Sequence, residues 1–449
     1  MLLGLPEHAG DIVQSAPLAL WRRQAQLPLR YGGCGLRSSV RTAPAAYWGS
    51  WADCFGPLSE RFPAFGRFAM QHLSAAEAGF DLHLLPASLA AVHEAGLHLQ
   101  HAGFRRPAWE NLLRGERPPP PGRTGDPRST EACIGEWVHG WQFHASDVLE
   151  QQEHVSLLTA LSSHGRFRGQ RAPPPGPARL RSCAGPHAAS WLTATPSTAA
   201  LQLDNVAFSC GLRRRLGLAT GSTDYACEGC GAALDPFGFH RCACTRSGRH
   251  NARHFGVLQA WRQVFQESGN SIPRRNVERL LRNTHVPCDR RDARRLDLIV
   301  AGSSIARGLP LFCDVTVVSP ISANGRARGG CTRADGGALD AARRVNNRTY
   351  SEVSTSGVAR LCALDVETFG RWGADPLWIV PALARERTRG LPTAVRAGTR
   401  ARLSHRWWSL LSAAVQRQVA AECMRTAGAD LGVDVGEPAP CFAELPAVP

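Results

Sequence analysis

The sequence predicts an α+β protein: a mostly helical N-terminal half, a small Cys/His knuckle, and an α/β core closed by a C-terminal helix. Three observations carry that expectation. Helical apolar spacing marks 67–114 and 131–163, four potential metal ligands cluster between Cys227 and Cys244, and two short apolar runs, Leu296–Val300 and Leu311–Val318, follow further on. Apolar positions three and four apart line one side of a helix, whereas short apolar runs rich in β-branched residues suit buried strands.

Residues 1–114 read as helical, with Leu84, Leu85, Leu89, Val92, Leu97 and Leu99 as packing positions. The run 115–129, centred on four prolines, reads as a linker, because proline fixes φ and has no N–H to donate. Residues 130–220 form a helical connector, with helical spacing over 131–163 and a second Pro-rich break over 165–178. The knuckle occupies 221–255, the α/β core 256–425 and a tail 426–449. Beyond the knuckle, 251–284 predicts one or two helices broken near Gly269 to Pro273. Two strands follow within 294–320 around Gly302-Ser303-Ser304, then a Gly- and Arg-rich loop over 323–337 and a helix over 338–352. A strand over Leu361–Val366 comes next, and an amphipathic helix over 403–425 offers Trp407, Trp408, Leu410, Leu411 and Val415 to a core.

The knuckle has metal-ligand spacing. Cys227-Glu228-Gly229-Cys230 is followed by nine residues to His240 and three more to Cys244. A two-residue gap lets one turn present two sulfurs, and a later His and Cys complete the tetrahedral shell that zinc prefers. Gly231, Asp235, Pro236 and Gly238 are turn residues suited to the excursion between the ligand pairs. Cys242, His250 and His254 are competing ligands, and a loop of reduced, unliganded thiols is the alternative.

The formal charge is +15, and every one of the 52 basic residues is Arg. Such a charge attracts a polyanion, so DNA or RNA is the expected partner, with salt-dependent binding. Arg213, Arg214 and Arg215 before the knuckle, and Arg249 after it, are candidate phosphate contacts, although such a run is commonly just a solvated face. Arg pairs well with phosphate but holds its proton too tightly for proton transfer. The 15 cysteines, scattered singly outside the knuckle, do not form a disulfide framework, and no stretch approaches the length of a membrane span. A nuclear or cytoplasmic protein that is neither secreted nor membrane-bound is expected.

Several stretches resemble a family in order. Leu27-Pro28-Leu29-Arg30-Tyr31-Gly32-Gly33-Cys34-Gly35-Leu36 with Ala45-Ala46-Tyr47-Trp48 is similar to the region just beyond the polymerase core of non-LTR retrotransposon polyproteins. Arg179-Leu180-Arg181-Ser182 and Leu212-Arg213-Arg214-Arg215-Leu216 resemble the approach to that family's zinc knuckle. Arg294-Arg295-Leu296-Asp297, Gly308-Leu309-Pro310-Leu311 and Cys313-Asp314-Val315-Thr316-Val317-Val318 resemble its restriction-like endonuclease, and Arg348-Thr349-Tyr350, Glu367-Thr368-Phe369-Gly370-Arg371-Trp372 and Arg406-Trp407-Trp408 its closing segment.

That resemblance implies a PD-(D/E)xK endonuclease-like domain that nicks DNA for a reverse transcriptase, here a separate partner. Asp297 and Asp314 would hold Mg²⁺, Glu278 is the candidate third carboxylate, and Tyr350 would close the motif. The family's lysine falls at Asn346, and Thr316 occupies the alternative position two after Asp314. Arg344 and Arg348 would then contact the scissile phosphate. The chain contains neither lysine nor the paired aspartates of a reverse transcriptase site. Three readings follow: a nucleic-acid-binding protein with a disabled nuclease, an active Mg²⁺-dependent nicking enzyme, or a retroelement fragment without function.

Overall fold

In the computed structural model, which describes residues 16–79, 85–118, 140–163, 175–220, 225–273, 279–302 and 304–424, the chain divides into two units, Leu5–Pro186 and one that holds His187–Pro449. The stretch 130–220 therefore contributes to both. The described cysteines are all free thiols. No helix among the described residues is long and apolar enough to cross a membrane.

The first unit is helical: α1 (Ala16–Ala25), α2 (Ser39–Arg61), α3 (Pro63–Glu77), α4 (Ala87–His101), α5 (Trp109–Leu113), α6 (Trp141–Ser163) and α7 (Pro175–Cys183). Ser38 caps α2 by accepting the Arg41 N–H, and Pro63 opens α3 where a helix needs no donor. Trp48, Phe55, Trp109 and Trp141 meet at tilted or edge-on angles in its core. Leu89, Val92 and Leu99 are buried as the spacing predicts, Leu85 and Leu97 are half-buried, and Leu84 lies outside the described residues. The linker expected over 165–178 ends sooner, because Pro175 and Pro177 sit in the first turn of α7, where their missing N–H groups cost nothing. Most of the other linker, from 119 on, lies outside the described residues.

The second unit has mixed architecture. It contains α8 (Asn205–Leu216), α9 (Phe239–Ala243), α10 (Arg249–Glu267), β1 (Leu298–Val300), β2 (Leu311–Val318), α11 (Gly337–Thr349), α12 (Ser351–Ser356), β3 (Arg360–Glu367), α13 (Ala374–Arg387) and α14 (Thr393–Met424). The strands form a sheet in the order β1-β2-β3, antiparallel then parallel. Alternation of side chains assigns its faces. Leu311, Cys313 and Val315 of β2 join Cys362, Leu364 and Val366 of β3 in a core completed by Trp261 and Phe265 of α10, Ile379 and Leu383 of α13, and Trp407, Trp408 and Leu411 of α14. On the other face Phe312 packs with Ile299, Tyr350 and Val353. Full burial of each large apolar side chain contributes about 1.5–3 kcal/mol.

Helix α13 was not legible. Its Pro376-Leu377-Trp378-Ile379-Val380-Pro381 stretch is apolar without helical periodicity and contains two prolines. The closing helix also begins ten residues before the expected 403.

On the Phe312 face, past the end of that small cluster, lie Asp314 and Thr316 of β2, with Asp365 of β3 in register with Thr316. Asp365 is 1% exposed and its Oδ1 has no hydrogen-bond partner. Burial pushes its carboxyl up to about 7, with neighbouring Asp375 adding to the rise. A carboxyl raised above its unfolded value of about 3.9 stabilises fully below that value, and the contribution is lost as pH rises through about 7. Urea melts at pH 5 and pH 8 should therefore show a larger stability loss on alkalinisation for the wild type than for Asp365→Asn. Equal losses would mean that Asp365 does not titrate in that window.

Candidate functional site

The Sγ atoms of Cys227, Cys230 and Cys244 and a ring nitrogen of His240 lie within 4.8 Å of one another, a group that can hold a metal ion. Local backbone makes this possible. The chain turns back between Cys227 and Gly231, whose N–H donates to the Cys227 carbonyl, and Ala226 bridges Ala233. Gly229 permits the 244–247 loop to pass close, since a Cβ there would stand 2.4 Å from the Ser247 nitrogen. Asp235 then organises the second ligand pair: its carboxylate accepts the N–H groups of Phe237, Phe239 and His240, fixing the start of α9.

Second contacts prepare the ligands. His240 Nδ1 lies 3.1 Å from the Ala323 carbonyl, so Nε2, which is 3.2 Å from Cys230 Sγ, is left with its lone pair inward. Burial works against the Cys227 thiolate, but the N–H groups of Gly229 and Cys230 and the His240 ring outweigh it and lower its pKa. Burial raises that of Cys244. None of the competing ligands Cys242, His250 and His254 belongs to this group, and two of them have other partners. Cys242 is buried with its Sγ 3.7 Å from Cys423 Sγ, and His254 Nε2 lies 2.9 Å from Asp297 Oδ2.

Asp297 and Asp314 are brought together. Asp297 immediately precedes β1, and its Oδ2 accepts the Val315 N–H at 2.7 Å as well as the His254 contact. The Arg279 guanidinium donates to its main-chain oxygen at 2.5 Å. Asp314, on β2, accepts from the Thr316 hydroxyl at 3.1 Å. Burial and then the Asp297 charge push its carboxyl up to about 6. Asn346 is buried on α11 and its Nδ2 lies 3.4 Å from Thr316 Oγ1, so it faces this pair. The arrangement is two adjacent carboxylates, a hydroxyl and an amide with no ammonium.

The remaining predicted residues are spread around it. Tyr350 is buried, donates to the Arg295 carbonyl at 2.9 Å, and has its phenol pKa raised by burial and then by Asp314. Arg344 and Arg348 are exposed on α11, while Arg343 pairs with Asp375 at 3.0 Å. Glu278 lies outside the described residues. The run before the knuckle differs from a surface patch: Arg214 and Arg215 are buried and Arg213 is half-buried. Arg214 lies 4.6 Å above the Phe369 ring and donates to the Phe237 carbonyl, because the last turn of α8 packs inward against α14 and the turn at Phe237. Arg213 donates to the Ala219 carbonyl, and Arg249 pairs with Glu228 inside the knuckle at 2.7 Å.

Sequence reasoning missed two positions. His254 was legible only as a spare zinc ligand, and Asp235 only as a turn residue. His254 acts through a contact 43 residues away in sequence, whereas Asp235 acts locally, on N–H groups two to five residues further on. No protein-family profile and no curated protein matches this chain.

Proposed function

We propose that the chain is a nucleic-acid-binding protein of retroelement origin, in which a zinc knuckle and a PD-(D/E)xK endonuclease-like domain are joined through α10 and the nuclease lacks its proton-transfer lysine. The observation that carries this reading is the meeting of Asp297 and Asp314 opposite Asn346, the position of the lysine in the family the sequence resembles. Helix α10 reaches both sites: Arg249 pairs with Glu228 of the knuckle, and His254 with Asp297.

The donor sets fit different metals. Three thiols and an imidazole suit zinc in a closed structural site. Two carboxylates and the Thr316 hydroxyl are hard oxygen donors that suit Mg²⁺. Asp297 and Asp314 would hold such a cation, which when bound would supply polarisation of a phosphodiester and a more acidic water. Of the chain's own residues, exposed Arg344 and Arg348 supply charge to a phosphate backbone, and the net +15 adds a salt-dependent attraction. Asn346 hydrogen-bonds but cannot transfer a proton at neutral pH, so binding outlasts cleavage. The retained carboxylate pair favours a second reading, an active nicking enzyme.

A nicking assay on supercoiled plasmid with Mg²⁺ or Mn²⁺, paired with DNA and RNA binding over a salt series, separates them. The wild type should bind with a steep salt slope and leave the plasmid intact. Asn346→Lys should restore nicking, and Asp314→Ala in that background should abolish it. Nicking by the wild type that disappears in Asp297→Ala and Asp314→Ala selects the active enzyme. If wild type and Asn346→Lys both bind yet neither cleaves, only the binding module stands, and absence of salt-dependent binding removes the whole reading.

A further inference from the structure

Asp297 sits in a loop, where a carboxylate would ordinarily sample several rotamers. Here its Oδ2 is held by two donors from different elements. The Val315 N–H of β2 reaches it at 2.7 Å and His254 Nε2 of α10 at 2.9 Å. Its backbone is pinned as well, by the Arg279 guanidinium on the carbonyl. With Oδ2 doubly occupied, Oδ1 is the oxygen left for an external partner. His254 is itself fixed by its helix: adjacent Arg253 is buried and hydrogen-bonded to the Cys242 and Val317 carbonyls and to Glu422, which sets the rotation of α10 under the sheet.

We infer that His254 is a positioning residue of the carboxylate pair, donating Nε2–H to Asp297 Oδ2 so that Oδ1 and Asp314 are held ready for one divalent cation. This rests on the metal-site reading of Asp297 and Asp314 given above. Groups that orient a metal ligand by hydrogen bonding without touching the metal change affinity by about tenfold to a hundredfold when removed. A merely structural histidine would change stability instead.

The test is Mn²⁺ binding to the zinc-loaded full chain, measured by the electron paramagnetic resonance of free Mn²⁺, with thermal melts of every variant. Wild type should bind, and Asp314→Ala should lose the site. His254→Ala should bind at least tenfold more weakly with little change in melting temperature. His254→Gln, whose side-chain amide can place an N–H near the position of Nε2, should recover to within about threefold. If His254→Ala binds like wild type while Asp314→Ala does not, the inference fails and the metal-site reading stands. If His254→Gln is as weak as His254→Ala, or the loss of affinity tracks a loss of melting temperature, the role is structural and the inference again fails. If the wild type binds no Mn²⁺, the cation site fails and the inference with it.

Discussion

Freshly purified protein should contain about one zinc ion per chain, and Cys244→Ser should lose it together with the fold of the knuckle. Closed four-ligand zinc sites couple metal binding to folding by on the order of 10 kcal/mol. The local structure here has little else to hold it, with one isolated bridge, a short helix and a small cluster of Leu234 with the cysteines. Elemental analysis gives the zinc content, and limited proteolysis around 225–248 reports the fold. Cys242→Ser is the control. Its Sγ contacts Cys423 in the main core, not the ligand group, so this variant should keep its zinc and lose only about 1–3 kcal/mol for placing a hydroxyl there. Zinc-free protein prepared without chelators, or zinc retained by Cys244→Ser, would remove the site.

Glu422→Ala should cost about 3–5 kcal/mol, because it strands the Arg253 guanidinium inside the second unit. Both side chains are 5% exposed and meet at 2.5 Å. Arg253 also donates to the carbonyls of Cys242 and Val317, so it ties α9, the end of β2 and α14 to α10. The pair is incompletely satisfied, since Arg253 Nε and Glu422 Oε1 have no hydrogen-bond partner. Its contribution is therefore more to arrangement than to net stability. The double replacement Arg253→Met with Glu422→Leu should recover most of the loss in chemical denaturation while leaving zinc content unchanged. A single-variant loss below about 1 kcal/mol would show that water reaches the pair. The same logic applies to Arg214: its removal should destabilise the fold before it weakens nucleic-acid binding, because its guanidinium is spent on Phe237, Phe369 and Cys423.

Features encoded over a few residues were legible in the chain by itself. The Cys227, Cys230, His240, Cys244 spacing, the apolar run of β2, the strand near Leu361 and the packing leucines of α4 all depend on local geometry, where a turn or a pleat dictates which side chains can meet. Partners distant in sequence were decided only by tertiary packing. Cys242 and His254 had the right spacing to compete for zinc, yet α14 claimed the first and Asp297 the second. Arg214 and Arg215 read as surface charge until the inward packing of α8 buried them. Asn346 could be placed on a helix from sequence, but its approach to Thr316 and Asp314 required the parallel pairing of β2 with β3 beneath that helix. The reason is common to all five residues: a side chain's local conformation follows from its neighbours in the chain, whereas its hydrogen-bond partner is chosen by which buried polar group would otherwise go unsatisfied.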